Sequence, residues 1–247
     1  ARCSPSRASI MTGLYPHRHG VIDNNLRLAQ HTICISDILC EQGYNCIYTG
    51  KWHLLGGMHK PNFVPPHRRH GFNRFIGSNV GHHKKYYRYI QNNDSPKQTN
   101  QYSTDGIVED AIKMMEESGS TPFFSFISIL DPHTPWSVRS PYDRMYDPTS
   151  MQLADNYIND IKLISEGPAR ERYKLVEERI ADWIQGHSAQ TREEAFQEIM
   201  AIYYGMISCI DENVGKILDW VQRRGMEEDT IILFTSDHGE FMSGHGL

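Results

Sequence analysis

No run of about 18 apolar residues occurs, so no segment reads as a membrane-spanning helix. The longest apolar stretches, Phe123–Leu130 and Ile231–Phe234, are only strand-sized. An excess of positive charge is missing too. The 25 Lys+Arg face 30 Asp+Glu, a formal net charge of −5, which excludes the basic footprint of a nucleic-acid binder. Cysteine is sparse: five residues, at 3, 34, 40, 46 and 209, with no C-x-x-C pair. An odd count without that spacing signals neither a zinc ribbon nor a closed disulfide framework. Internal repeats and low-complexity tracts are absent, and no signal peptide is visible. The chain opens on Ala1-Arg2-Cys3, without Met, and stops at Gly244-His245-Gly246-Leu247. Both ends read as cut, so targeting information is expected to lie outside this stretch.

What is present suits a packed domain. Of 247 residues, 39% are hydrophobic and 22% charged, enough apolar matter for one large core. Ser4 and Pro5 predict the N-cap and first position of a helix that Gly13 and Pro16 end. Ser36–Gln42 predicts a second helix, with Ile35, Ile38 and Leu39 on one face and Gly43 just past its end. Tyr44–Thr49 reads as a strand. Thr104 or Asp105 caps a helix that carries Ile107, Val108, Ala111, Ile112 and Met115. The apolar run after Pro122 predicts a strand buried on both faces. One apolar stripe from Ile199 to Val221 predicts a long helix over about Arg192–Arg224, and Thr230–Thr235 a further buried strand. Alternating helices and strands indicate a layered α/β fold. The polar, aromatic stretch 77–101, with Tyr86, Tyr87 and Tyr89, and the mixed stretch 136–188, with a helix near Arg170–Trp183, read as insertions.

In α/β sheets, ligand-binding residues gather beyond the carboxyl ends of the strands. Three polar clusters stand there: Gly50-Lys51-Trp52-His53, Asp131-Pro132-His133-Thr134-Pro135 and Ser236-Asp237-His238-Gly239-Glu240. Each contains a histidine with a lysine or an aspartate, which points to one shared site. Cys3 and Arg7 form a fourth group at a helix N-terminus, a place that favours anions. An i,i+4 spacing puts them one turn apart. Lys51 and His53 alternate along an extended segment, so both are expected to face the same side while Trp52 packs.

These residues resemble a known family. Cys3-Ser4-Pro5-Ser6-Arg7, continuing to Thr12-Gly13, is similar to the C-x-P-S-R-x-x-x-x-T-G signature of formylglycine-dependent sulfatases. Gly43-Tyr44 with Thr49-Gly50-Lys51-Trp52-His53-Leu54 resembles the second signature. Asp131-Pro132-His133 and Thr235-Ser236-Asp237-His238-Gly239 resemble later active-site segments, all in family order. The resemblance implies an alkaline-phosphatase-like α/β/α sandwich with a mostly parallel mixed sheet, incomplete at both ends. It implies a partial catalytic domain over 1–247, without the family's first strand and its paired aspartates, its late lysine and its C-terminal subdomain.

It also implies the chemistry. A formylglycine-generating enzyme would convert Cys3 to an aldehyde, whose hydrate attacks sulfur in a sulfate monoester. Arg7 and Lys51 would hold the diol and the sulfate, His53 would act as base and His133 would protonate the leaving alcohol. A near-neutral ordinary pKa suits His53 to proton transfer, and Pro132 and Pro135 stiffen the loop of His133, as a rigid donor requires. Asp237, His238 and the formylglycine from Cys3 would hold a divalent metal, Ca²⁺ first and Mg²⁺ or Mn²⁺ as alternatives. Substrates would be small-molecule or carbohydrate sulfate esters, and the compartment periplasmic, secreted or lysosomal. Phosphonate or phosphate monoester hydrolysis is the rival activity, and an inactive fragment the rival of another class. His17, His19, His67, His70, His82 and His83 are expected to be ordinary loop or core histidines; for His245, nearer the expected site, a pocket role and an ordinary loop role both stand open.

Overall fold

The computed structural model describes residues 2–57, 63–80, 88–92, 95–99, 101–157 and 170–247. The chain divides into two compact units, one of Ala1–Pro135 with Ile210–His238, the other of Trp136–Cys209 with Gly239–Leu247.

Helix α1 (Cys3–Thr12) opens the first unit. Arg2, not Ser4, is its N-cap. Ser4 cannot serve, because its hydroxyl donates to the His53 carbonyl (2.7 Å) and its N–H to Asn24 Oδ1 (3.0 Å). Gly13, in the left-handed region, closes the helix by donating to Ser9 O (2.8 Å). The short α2 (Pro16–His19) follows, then α3 (Ile35–Glu41). The face α3 buries carries Ser36, Leu39 and Cys40, whereas Ile35 and Ile38 stand in solvent. Ser36 sets this rotation by donating to His70 O (2.5 Å).

Strand β1 (Asn45–Lys51) is the centre of a three-stranded parallel sheet. It pairs with β2 (Arg74–Ser78) on one side, Thr49 opposite Ile76. On the other it pairs with β5 (Phe123–Ser128), Thr49 opposite Ile127. A parallel sheet needs cover on both faces, and the alternation along β1 supplies it. Cys46 and Tyr48 point into a core with Ala8 and Met11 of α1, Trp52, Phe72 and Phe75. Ile47 points the other way, to Met114 and Met115 of α4 (Ser103–Glu116) and to Trp220 and Val221 of the last long helix. Helices thus lie on both sides of the sheet, an α/β/α layering. Tyr48 stacks on Phe75 and Phe126, with centroids 5.1 and 5.4 Å apart, and meets Trp52 edge-on.

Gly50, at φ +94°, lets the sheet close at its carboxyl edge. A Cβ there would lie 1.9 Å from Ser128 O. Gly77 is similarly pressed against Gly50 O, at 2.3 Å. The stretch 77–101 therefore begins inside the core strand β2. Within it β3 (Arg88–Asn92) and β4 (Ser95–Thr99) form an antiparallel hairpin.

Two expected strands differ. β5 is half-buried rather than enclosed, since it is an edge of the sheet among the described residues. Residues 230–235 form no strand: Ile231, Leu233 and Phe234 are 90%, 88% and 77% exposed. Apolar β-formers become a strand only through a ladder partner, and none pairs with them among the described residues.

The second unit holds α5 (Arg170–Gly186) and the first part of α6 (Arg192–Arg223). α6 ends at Gly225, in the left-handed region. Its core joins Tyr157, Ile180, Trp183, Ala195, Phe196 and Ile199. Arg192 is woven into it, donating to Glu177 Oε1 (2.7 Å), Tyr157 OH (2.6 Å) and Gly246 O (2.7 Å).

Candidate active site

The first unit gathers most of the expected residues around Cys3. Its side chain is buried at the first turn of α1, with Sγ 3.1 Å from His238 Nε2. Lys51, the last residue of β1, is buried close enough to Cys3 for the two groups to interact electrostatically. Burial pulls the Lys51 ammonium below the ordinary lysine range; the negative charge available at Cys3 opposes this and Arg7 adds to it. The Asp237 carboxylate accepts the His238 N–H (3.0 Å) and lies 3.8 Å from Arg7 Nη1.

Arg7 is the site's brace. Its Nε donates to Trp52 O (3.0 Å), and its Nη2 to Tyr48 OH (2.7 Å), Ser128 Oγ (2.6 Å) and Lys51 O. A planar fork with five donors can tie α1 to two strands at once. Arg7 and Lys51 also place two cationic groups beside Cys3, as an anionic ligand requires.

His53 reaches the site by a different backbone from the extended one expected. β1 ends at Lys51, and His53 has φ +55°, a conformation rare for a residue with a Cβ. It is pinned there by Ser4, which donates to its carbonyl, and by Asn79 O, which accepts its N–H (2.8 Å). Trp52 packs in the core as expected, 1% exposed. His133 stands separately, on the loop after β5. Its N–H donates to Leu130 O (3.1 Å), and its ring Nδ1 lies 2.7 Å from Thr134 O. That carbonyl acceptor orients the ring.

Cys3, Asp237 and His238 bring their donor atoms within 4.8 Å of one another. One carboxylate, one imidazole and one sulfur fit a divalent cation in number and convergence. With sulfur in place the set suits a borderline metal; a Cys3-derived oxygen would move it toward harder, oxygen-preferring ions.

A second convergent set, Cys34, Asp37 and His70, is already employed within the fold. Cys34 and Asp37 form the capping box of α3, and His70 Nδ1 sits 3.2 Å from Thr32 O. Burial pushes the Cys34 thiol up to about 12. His19 bridges Ser9 Oγ and the Val21 N–H inside the core. His17 and His67 are exposed. His245 belongs to the second unit, where its ring lies against Asn156 and Phe241. His82, His83, Tyr86 and Tyr87 lie outside the described residues, as does the side chain of Tyr89.

Sequence reasoning passed over Ser128, Tyr48 and Asn79, and placed Asp131 in a strand-end cluster without giving it a role of its own. Asn79 follows the carboxyl end of β2, where the strand-end rule would have found it had Arg74–Ser78 been read as a strand. Ser128 and Tyr48 carry no signal of their own, because their role lies in meeting Arg7 across the sheet.

The family model for Sulfatase matches residues 1–247. The chain belongs to the sulfatase family. It is 33% identical over 249 residues to an ulvan-active sulfatase of Formosa agariphila, covering 99% of this chain and 42% of that protein. It is 26% identical to a choline-sulfatase of Rhizobium meliloti, with 99% and 49% coverage. The sulfatase-family chain thus spans about half the length of the curated relatives it matches. Among solved structures, yidJ of Bacteroides fragilis superposes with a TM-score of 0.73 at 27% identity, covering 98% of this chain and 53% of that one. The phosphonate monoester hydrolase of Agrobacterium radiobacter shares the fold, with a TM-score of 0.67 at 24% identity, over 100% and 55%.

Proposed function

We propose that this chain carries the catalytic centre of a sulfuric ester hydrolase whose nucleophile is formylglycine made from Cys3. The observation that carries the reading is the convergence of Lys51, His238 and Asp237 on the Cys3 environment, with Arg7 bracing it. A separate formylglycine-generating enzyme would make the aldehyde, and water would hydrate it to a geminal diol.

One diol hydroxyl gives its proton to water and attacks sulfur while the S–O bond to the alcohol breaks. His133 gives the departing oxygen its proton, and Lys51 and Arg7 offset charge on the sulfate oxygens. His53 then takes the proton of the second hydroxyl. The C–O bond to the sulfate breaks, sulfate leaves, and the aldehyde re-forms for rehydration. A serine has no second hydroxyl and could not complete this step. Asp237, His238 and the Cys3-derived oxygen would hold a divalent cation, Ca²⁺ by preference once the sulfur is replaced. When bound it supplies a Lewis-acid charge clamp for the anionic substrate. The substrates we propose are sulfated carbohydrates, in keeping with the ulvan-active relative.

Hydrolysis of phosphonate or phosphate monoesters is the second reading. The cationic pair Lys51 and Arg7 recognises a tetrahedral oxyanion without distinguishing sulfur from phosphorus, and a phosphonate monoester hydrolase shares the fold. Full-length protein made together with a maturation enzyme should be assayed on an aryl sulfate and on phenyl phosphonate in parallel. Preference for the sulfate supports the first reading. Preference for the phosphonate replaces it with the second, and no turnover of either overturns both.

A further inference from the structure

We infer that Asp131 is a positioning residue for His133, anchoring the turn that presents the histidine to the amino end of α4. The inference rests on the reading of His133 as proton donor. Asp131 is buried, 8% exposed, while Pro132 and His133 beside it are half-buried. Its Oδ2 accepts two hydroxyl hydrogen bonds, from Tyr102 (2.6 Å) and from Thr104. Tyr102 is the N-cap of α4 and Thr104 lies in its first turn, the end where a helix favours negative charge.

The backbone makes the connection to His133. Because the His133 N–H donates to Leu130 O, Asp131 and Pro132 are the central pair of a tight turn and His133 is its last residue. Fixing the side chain of one central residue fixes the turn, and with it the direction in which His133 leaves the backbone. Pro132 and Pro135 limit φ on either side, and Thr134 O takes the ring orientation from there.

α4 is itself fixed to the site. Ile107 lies 3.3 Å from the point where a Cβ on Gly50 would fall, next to Lys51. Asp105 accepts from Asn213 Nδ2 (2.8 Å) and pairs with Lys216 at 3.7 Å, both on α6. One helix therefore references both Lys51 and His133. A buried carboxylate is a costly choice for a purely structural tie. Burial pushes Asp131 up to about 6; the two hydroxyls oppose this and Asp105 adds to it.

The test uses the full-length, matured enzyme, with D131N and a Y102F/T104V double variant that keeps the acid and removes its anchors. Turnover is compared on an activated aryl sulfate and on an alkyl sulfate with a poor leaving group. If Asp131 positions the proton donor, both variants lose about 10-fold or less on the aryl sulfate. On the alkyl sulfate they lose about 100-fold or more in kcat, with KM little changed. Equal losses on both substrates overturn the inference, as does a loss that follows a fall in Tm. Should D131N fail to fold, T104V gives a milder form of the same split. The His133 imidazole ¹⁵N signals in D131N and T104V form a second arm independent of turnover. A changed His133 midpoint with unchanged signals from the other histidines supports the inference, and an unmoved His133 overturns it. A wild-type enzyme inert on every sulfate would instead sink the sulfatase reading and leave this second arm to decide.

Discussion

Cys3 Sγ lies 3.1 Å from His238 Nε2, a contact that spans 235 positions of sequence. The first turn of α1 and a loop near the other end of the chain are thereby brought to one point, with the buried Lys51 coupled electrostatically to Cys3. The proposed formylglycine replaces that thiol by an aldehyde whose hydrate carries two hydroxyls. The Cys3 peptide from the matured protein should weigh about 18 Da less than its unmodified form, as thiol-to-aldehyde exchange requires. Mass spectrometry of a tryptic digest checks this. Cys3→Ala should abolish turnover and leave Tm nearly unchanged. Full activity from protein whose Cys3 peptide keeps its original mass would end the formylglycine reading.

Asp237 faces Arg7 on one side and the Cys3–His238 pair on the other. Asp237→Ala should cut metal content measured by plasma emission to a small fraction of wild type. It should also lower kcat/KM by about 100-fold or more. Reversible loss on chelation should match it. A variant that keeps stoichiometric metal would remove Asp237 from the ligand set.

The candidate positions were legible in the sequence where a strand end carries an unusual side chain. Lys51 closes β1 and His133 lies on the loop after β5, so the strand-end rule led to both, whereas Asp237 follows an apolar run that forms no strand. What holds them was not legible. Arg7 reads as a charge beside Cys3, yet its hydrogen bonds go to Trp52, Lys51, Tyr48 and Ser128. Such partners are set by strand register, which a single sequence does not encode locally. His53 shows the same limit, since a left-handed histidine has no sequence mark. Layering was readable from the periodicity of α4 and α6. The exposed course of residues 230–235 was not, because an apolar run reports the wish for a partner and not its presence.

Asp131 makes a prediction about stability against pH. Its folded-state value, about 6, lies above the ordinary value of about 3.9 for an unfolded aspartate. The folded chain therefore binds this proton more tightly. The stabilisation from the protonated form is complete below about pH 4 and is lost as pH rises through about 6, for a total of about 3 kcal/mol. Urea midpoints for wild type and D131N should accordingly converge or reverse as pH rises from 4 to 7, with the variant losing less. Parallel pH curves for the two proteins would show that Asp131 does not titrate in this window.

Gly50 offers the most direct test of how the site is built. It stands between Thr49 and Lys51 at φ +94°, where an L side chain is strained whatever the space. Space is also lacking, since a Cβ would fall 1.9 Å from Ser128 O and 2.8 Å from Ser128 C. Those are backbone atoms of β5, so relief requires the two strands to part. Parting them moves Ser128 Oγ away from Arg7 and from Lys51 O, to which it also donates (2.8 Å). Gly50→Ala should therefore cost about 3 kcal/mol or more, combining backbone strain with lost buried hydrogen bonds. Turnover should fall even in the fraction that stays folded, because Lys51 and Arg7 are displaced together. Gly13→Ala is the matched control: φ is +68°, but nothing lies within 4 Å of its would-be Cβ. It should cost about 1 kcal/mol and spare activity. Denaturant midpoints and kcat for both variants check the pair. Equal destabilisation would mean that the left-handed backbone alone, and not the contact between β1 and β5, sets the demand for glycine at position 50.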